Sequence, residues 1–477
     1  MSKGCGKYAH EQDWIKAVWH IRMERLSIAN LLGDRPLERG ELEFLETWSR
    51  HLKQEDQSLQ LMESRLRYLL DTGEISEAEA AADRLVNSVK DAGNKSFLRR
   101  ACGWRAVVYR EQSRYQNAIA DFETAESCAE NELQQMEIWL DKGMTLVYAN
   151  RYQEAEKMLQ GAIEIAQKYN DINSQGIAWN NLGICYGQQR KSLPAIEAYD
   201  RAIALYQQTG YKLGSAMACG NLSEIYLSRG QLDKALELSR QCQKLGAEAE
   251  DVISLGLGQD IAGRALAELG DDNGAADSFK KSLKVFCQVN DAVAQVMSGF
   301  HLVICLSHSG NIAEAEKFYR IVEALEYEDG RQAKSYYLAM ARAAILLAGK
   351  QDGPAVELLE RQLGHLFSQN QELGEILLQL SEIYDRQGKS ARSKDMLGRL
   401  QALPQEKLTG LFKVKMHSTG WTVYSGMGLP AEAGEQKSQG LALLKEMSER
   451  YTDRGIWKKY CRKKEVRALL DKRKGFK

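Results

Sequence analysis

Ala178–Gly210 reads AWNNLGICYGQQRKSLPAIEAYDRAIALYQQTG. Its first half carries a Trp, a Leu-Gly pair and a Tyr at helical spacing. After a short polar break, Ala and Tyr residues recur at the same spacing in the second half. This pattern predicts two amphipathic helices joined by a tight turn, with small residues where the helices touch.

The same unit recurs along the whole chain. Its marker is the small residue early in the second helix, at Ala78, Ala118, Ala155, Ala195, Ala235, Ala275, Ala315, Ala355, Ser393 and Ala433. Seven of the nine steps between these positions are 40 residues long, and the other two are 37 and 38. A bulky residue late in the first helix keeps the same phase, at Leu69, Tyr109, Leu146, Tyr186, Tyr226, Leu266, Leu306, Leu346, Tyr384 and Tyr424. Two series in phase predict an all-α solenoid of ten stacked pairs, because one pair cannot bury its apolar face alone.

The turns inside the pairs have their own signal. Many of them contain a glycine, at Gly73, Gly230, Gly270, Gly310, Gly388 and Gly428. A glycine at this place is predicted to adopt the left-handed conformation that ends a helix without steric cost.

The unit resembles the tetratricopeptide repeat (TPR). The residues that carry the resemblance are Trp179, Leu182, Gly183, Tyr186, Ala195, Tyr199 and Ala202. The long pitch is similar to that of the arrays in kinesin light chains, cell-polarity adaptors, bacterial peptide-pheromone receptors and large bacterial ATPase regulators. The resemblance runs from Gln57 to Leu444, with Ser393 and Trp421 departing from the usual small residues. It implies a right-handed superhelix that binds other proteins and carries no enzymatic activity.

The array is predicted to occupy residues 57–440, between two flanking segments. Residues 1–56 are predicted to form an N-terminal helical cap, with a dedicated docking module as the alternative. Residues 441–477 are predicted to form a capping helix and a basic tail. The stretch Arg454–Lys477 carries eleven Lys or Arg residues. It is interpreted either as a solvated final helix or as a contact for acidic protein, RNA or membrane.

Composition narrows the class of protein. The net charge is −1, which gives no reason to expect nucleic acid as the main ligand. Nine cysteines lie scattered on apolar helix faces, as expected of reduced thiols in a cytoplasmic protein. The N-terminal residues lack the apolar core of a signal peptide, and no apolar run is long enough to span a bilayer. We therefore expect a soluble cytoplasmic protein.

Catalytic, cofactor and metal motifs do not emerge from the sequence. Gly388-Lys389-Ser390 resembles the end of a nucleotide-binding loop, but the earlier glycine is replaced by Ile383 and no strand precedes it. His301, Cys305 and His308 share one helix face at a spacing that suits zinc. No fourth ligand is evident, and packing of these side chains is the favoured interpretation. No catalytic residue, cofactor or metal is predicted.

The resemblance implies a row of polar residues in the groove. In such arrays the first helices line the concave face, and an Asn of the first helix points into it. The corresponding residues and their neighbours are Asp141, Asn180, Asn181, Asn221 and His301. An amide there can donate to and accept from a bound backbone. The alternative is that these groups are solvated or cap neighbouring turns.

A second row lies four residues earlier on the same helices. Its members are Ile177, Met217, Leu257, Met297 and Tyr337. They suit the apolar side of a partner helix, although packing against the preceding pair explains them equally. Glu224, Arg264 and Glu268 are predicted to add charge selectivity inside the groove.

These features favour a non-enzymatic scaffold that binds a peptide or helix of a partner protein in the concave groove. The alternative is a regulatory subunit that responds to a ligand and controls a separate protease, nuclease or transcription factor in trans. Binding of RNA through the basic tail is a third hypothesis.

Overall fold

The computed structural model describes residues 14, 17–29, 35–49, 55–90, 94–325, 331–364 and 371–471. All regular secondary structure within these residues is helical. The chain divides into two compact units, Met1–Gln189 and Arg190–Lys477, called the first and the second unit below. The N-terminal residues 1–13 and the last six residues of the basic tail lie outside the described residues.

The first unit contains nine described helices. They are α1 (17–29), α2 (Arg35–Ser49), α3 (Glu55–Asp71), α4 (Ile75–Lys90), α5 (Lys95–Glu111), α6 (Tyr115–Ser127), α7 (Glu132–Tyr148), α8 (Tyr152–Lys168) and α9 (Ile172–Gln188). Trp19 of α1 and Leu42 of α2 share one buried cluster with the helices α3 to α6. The N-terminal helices are therefore packed onto the first two repeat pairs, while their role as a cap stays a prediction.

The second unit begins with the partner helix of α9 in the chain. Its described helices are α10 (Ser192–Thr209), α11 (Lys212–Ser228), α12 (Leu232–Glu248), α13 (Val252–Glu268), α14 (Asp272–Gln288), α15 (Ala292–His308), α16 (Ile312–Ala324), α17 (Arg331–Ala348), α18 (Asp352–Leu363), α19 (Gln371–Arg386), α20 (Ser390–Gln401), α21 (Gly410–Gly426), α22 (Pro430–Arg450), α23 (Arg454–Tyr460) and α24 (Lys464–Leu470). In chain order, α3 to α22 are the twenty helices expected for ten pairs, with α9 in the first unit and α10 in the second. The helix α22 runs through residue 440, so the predicted boundary at that residue falls inside a helix.

The length of the repeat, 40 residues for most pairs, comes from long helices and not from long links. From α7 to α15 a helix begins every 20 residues, and all of them except α10 contain 17 residues. Such a helix is about 26 Å long at a rise of about 1.5 Å per residue. Only three residues separate one helix from the next in most of this stretch, for example between α7 and α8.

The small-residue series on the second helices is fully buried, and glycines on two of the first helices lie very close to the partner helix. All ten of its members are 0% exposed. At Gly143 a Cβ atom would lie 2.8 Å from the Leu159 side chain, and at Gly263 it would lie 2.8 Å from the Phe279 ring. Paired helices therefore approach too closely for a larger side chain at these positions.

All ten turns within pairs use a left-handed residue, and the six predicted glycines are confirmed in this role. The other four turns have non-glycine residues in the same conformation, at Ser113, Asn150, Arg190 and Lys350. Left-handed residues also begin links between pairs, at Asn170, Gly210, Glu250 and Asn290. The fold therefore imposes this conformation even where the residue type does not favour it.

The turn conformation gives a first testable prediction. Gly310 has φ +80° and no atom within 4 Å of an added Cβ, so Gly310→Ala should destabilise through backbone conformation alone. We expect a loss of about 1–2 kcal/mol in the free energy of unfolding, measured by urea titration. The control is Gly398→Ala, in the interior of α20 and also without a nearby atom. It should stabilise by about 0.5–1 kcal/mol, and equal effects of the two changes would contradict this account.

Two further expectations concern cysteines and membranes. Eight cysteines lie in the described residues as free thiols, six of them buried. No described helix combines the length and the apolar character needed to cross a membrane.

Candidate functional site

Each unit has an inner face that is built by the first helices of its pairs. In the first unit α3 contacts α5, α5 contacts α7, and α7 contacts α9. In the second unit α11 contacts α13, α13 contacts α15, α15 contacts α17, and α19 contacts α21. First helices of neighbouring pairs thus lie side by side, which places them on the concave side of each stack.

A charged network lies on this face in the second unit. Arg264 on α13 binds Glu224 on α11 at 2.5 Å and lies 3.8 Å from Asp260, one turn before it. Burial acts to lower the pKa of Arg264, but Glu224 and Asp260 outweigh it and raise that pKa. Ser298 on α15 donates to Asp260 at 2.9 Å. An ion pair therefore joins α11 to α13, and a hydrogen bond joins α13 to α15.

An aromatic cluster continues the same face on α15 and α17. The His301 ring stacks on Phe279 at 5.3 Å, and Phe300 contacts both His301 and Tyr337 at centroid distances of 4.8 and 4.9 Å. Burial, with a further contribution from Arg264, lowers the pKa of His301 to about 3. The imidazole is therefore neutral at physiological pH and acts as an aromatic and hydrogen-bonding surface.

The apolar row keeps part of its surface accessible. Met217 is 47% exposed, and Ile177, Leu257, Met297 and Tyr337 are half-buried. Leu257 also packs on the preceding first helix, because a Cβ at Gly220 would lie 2.9 Å from its methyl group. Leu257 therefore packs between neighbouring pairs, Met217 keeps the largest exposed fraction of the row, and binding of a partner by the row stays a prediction.

The polar row differs between the two units. Asn180 and Asn181 in the first unit are only 6% and 9% exposed, and the Asn180 amide donates to Asn181 at 3.5 Å. Asp141 is exposed and lies 3.5 Å from Arg110, while Asn221 in the second unit is half-buried. Among the asparagines of the polar row, Asn221 is therefore the most accessible. The role of the row in binding stays a prediction.

Comparison with known proteins identifies the repeat. A family model described as "Tetratricopeptide repeat" matches residues 134–208 and 174–248. Residues 134–248 are tetratricopeptide repeats. The array from α3 to α22 extends the same helix-pair geometry on both sides of them.

Several known proteins resemble parts of the chain. The regulatory protein AfsR of Streptomyces coelicolor is 29% identical over 123 residues, which are 25% of this chain and 12% of AfsR. The apo form of the quorum sensor NprR from B. thuringiensis is 13% identical with a TM-score of 0.46, over 72% of this chain and 97% of NprR. The STAND protein PH0952 from Pyrococcus horikoshii, which has a tetratricopeptide repeat sensor, is 15% identical with a TM-score of 0.47, over 70% of this chain and 54% of PH0952. The chain therefore spans about an eighth of the length of its curated relative.

The three possible zinc ligands on α15 do not point to a common site. Cys305 is buried, and burial raises its pKa to about 12. His301 faces the aromatic cluster, whereas the exposed His308 lies 3.8 Å from Asp272. Within the described residues no group of three or more His, Cys, Asp or Glu side chains is arranged to hold a metal ion.

The apolar row as predicted from the sequence ends at Tyr337 and omits the corresponding residues of the last two pairs. Continuing the apolar row by the observed steps of 38 and 40 residues leads from Tyr337 to Glu375 and Lys415. Glu375 accepts from the Tyr336 hydroxyl at 2.6 Å, and Lys415 binds Glu268 at 2.8 Å. The steps of the small-residue series would have located these two positions. They were not assigned to the row because their side chains are charged and those of the earlier members are apolar.

Proposed function

We propose that the chain is a non-enzymatic interaction scaffold whose concave groove binds a segment of a partner protein. The observation that carries this proposal is the composition of the groove in the second unit. In this unit the partly exposed part of the apolar row lies on the same first helices, α11 to α17, as the Glu224–Arg264 pair. Its Tyr337 ring packs on Phe300 of the aromatic cluster, which is itself buried. Partly exposed aromatic residues and an arginine are the side chains that dominate binding at protein interfaces.

The groove suits an amphipathic segment. Met217 and Met297 offer adaptable apolar surface, while Asn221 can bind backbone groups of the segment. A cavity of about 720 Å³ lies between α15, α17 and α19. The Gln379 amide oxygen lines it and is buried without a hydrogen-bond partner among the described residues.

The test is comparative capture of a partner with the full chain as bait. A genuine groove ligand is retained by the native protein, lost with Tyr337→Ala and kept with Lys244→Ala, an exposed change on the second helix α12. Truncating an aromatic anchor should weaken binding by more than about 1 kcal/mol, or at least about fivefold, in calorimetry with the captured protein. Equal affinity of the three proteins would refute the groove assignment.

A second candidate is a regulatory subunit that acts on a separate effector in trans. It is supported by the similarity of a quarter of the chain to the regulatory protein AfsR, and by contacts in the second unit that join residues more than 200 positions apart. Small-angle scattering with and without the captured partner separates the two candidates. A regulatory subunit should change its radius of gyration on binding, whereas a rigid scaffold should not.

A further inference from the structure

The segment Tyr451–Lys464, called the latch below, returns to an early pair of the second unit. Asp233 at the start of α12 accepts hydrogen bonds from the Thr452 N–H and hydroxyl at 2.6 and 2.8 Å. In the opposite direction, the Leu232 N–H donates to the Tyr451 hydroxyl at 3.3 Å. Asp233 is 5% exposed, so these contacts replace water around its carboxylate.

Lysines provide a second set of contacts on α13 and the turn after it. Lys463 lies 3.3 Å from Glu268, and Lys415 on α21 lies 2.8 Å from the same carboxylate. Lys459 binds Asp271 at 2.9 Å. As far as residue 471, the basic tail is therefore held against the repeat pairs by Lys459 and Lys463, whereas Lys458 and Arg462 are exposed, and contact with RNA stays a hypothesis.

One of the residues that the lysines contact, Glu268, lies on the groove face at the C-terminal end of α13. Glu268 follows Arg264 by four residues on α13, which puts both side chains on one face of the helix. Lys415 occupies the last position of the groove row on α21. Lys464, at the end of the latch, lines the cavity between α15, α17 and α19. The latch lysine Lys463 and Lys415 of α21 thus meet at Glu268, at the C-terminal end of α13.

Aromatic packing gives the latch a defined shape. The Trp457 ring contacts Tyr451 and Tyr460 at centroid distances of 4.9 and 5.7 Å. Tyr460 is 2% exposed. The aromatic side of the short helix α23 is therefore buried. Its Lys459 lies on another side and reaches Asp271 in the turn after α13.

We propose that the latch is an autoinhibitory contact: it covers the Glu268 end of the groove of the second unit, and a partner segment enters fully only after the latch is released. The inference rests on the proposed function for its biological meaning. Partner affinity is then reduced in proportion to the fraction of molecules in which the latch is open. Any change that weakens the latch therefore tightens partner binding without altering a groove residue.

The test uses two full-length double variants with the same change in charge. Lys459→Glu with Lys463→Glu reverses the two paired lysines of the latch. Lys458→Glu with Arg462→Glu reverses exposed residues of the same segment and is the matched control. The milder Tyr451→Phe variant removes only the hydroxyl that accepts from Leu232, and it is used if the first variant fails to fold.

The first measurement is amide hydrogen exchange at Leu232 and Thr452. We expect exchange at least about tenfold faster in the Lys459/Lys463 variant than in the native protein, and little change in the control. The second measurement is hydroxyl-radical oxidation of Met297 and Tyr337, with Met158 in the first unit as the internal reference. Oxidation of the groove residues should rise at least about twofold when the latch is released.

Unchanged exchange in the Lys459/Lys463 and Tyr451→Phe variants would overturn the latch. Faster exchange without increased oxidation of Met297 and Tyr337 would show that the segment covers the turns but does not close the groove. Both measurements need no partner, so they can succeed or fail independently of the capture experiment. With a captured partner, the released variant should bind at least about threefold more tightly than the control.

Discussion

Replacing Phe279 with alanine should lower the free energy of unfolding of the second unit by about 3–5 kcal/mol. The ring is 0% exposed and fills the space opposite Gly263, where an added Cβ would lie 2.8 Å from it. It also supports His301, which stacks on it at 5.3 Å. A cavity at this position cannot close, because the two long helices are held at a fixed separation by the small residues around it.

The measurement is urea unfolding of the full chain, followed by circular dichroism and by amide exchange in α13 and α14. Phe318→Ala on α16 is the control, because this ring is only half-buried and should cost less. Amide exchange in α7 and α8 of the first unit should not change. A loss below about 1 kcal/mol at Phe279 would show that the pair repacks around the missing ring.

Acid should open the latch, and Glu268 should dominate the effect. Burial acts to raise the pKa of Glu268, but Lys415 and Lys463 outweigh it and lower the pKa from 4.5 to about 2. The stabilisation from a lowered carboxyl pKa is fully present above the unfolded value and is lost as pH falls through the folded value. We therefore expect a loss on the order of 3 kcal/mol between pH 4.5 and 2. The lowered pKa values of Asp233 and Asp271 act in the same direction.

Fluorescence of Trp457 can be resolved from the other tryptophans by replacing it with phenylalanine and taking the difference spectrum. Latch opening should then follow a single acid transition in the native protein. Glu268→Gln should already favour the open latch at neutral pH, because it leaves the enclosed Lys415 without its counter-charge. Its opening should depend less on pH in the same window. An identical acid transition in both proteins would assign the effect to other carboxylates.

Much of the fold could be predicted because its information is local and repeated. The spacing of the series from Ala78 to Ala433 predicts where each helix pair lies in the chain. The glycines between the helices predict where six of the turns lie. The left-handed turns at Arg190 and Lys350 were not predicted, because neither residue type favours that conformation. Packing of the 17-residue helices on both sides decides the turn geometry there.

The candidate site was predictable only in part. The repeat phase places Glu224 and Arg264 on the same face of first helices 40 residues apart, and the structure brings them together. The near-complete burial of Asn181 could not be predicted, since exposure depends on how closely neighbouring pairs stack. The partnership of Asp233 with Thr452 leaves no pattern in the sequence, because the two residues are 219 positions apart.

That separation also affects how the second unit folds. Helix-pair stacks usually gain all their contacts from neighbours, so they can grow in either direction from any pair. Here the contact between α12 and the latch closes a loop of more than 200 residues, and loop-closure entropy delays it until the intervening pairs are in place. During synthesis, the early pairs of this unit are therefore complete long before the segment that covers their acidic edge. For that interval the growing protein exposes Asp233, Glu268 and Asp271, which the latch contacts in the finished molecule.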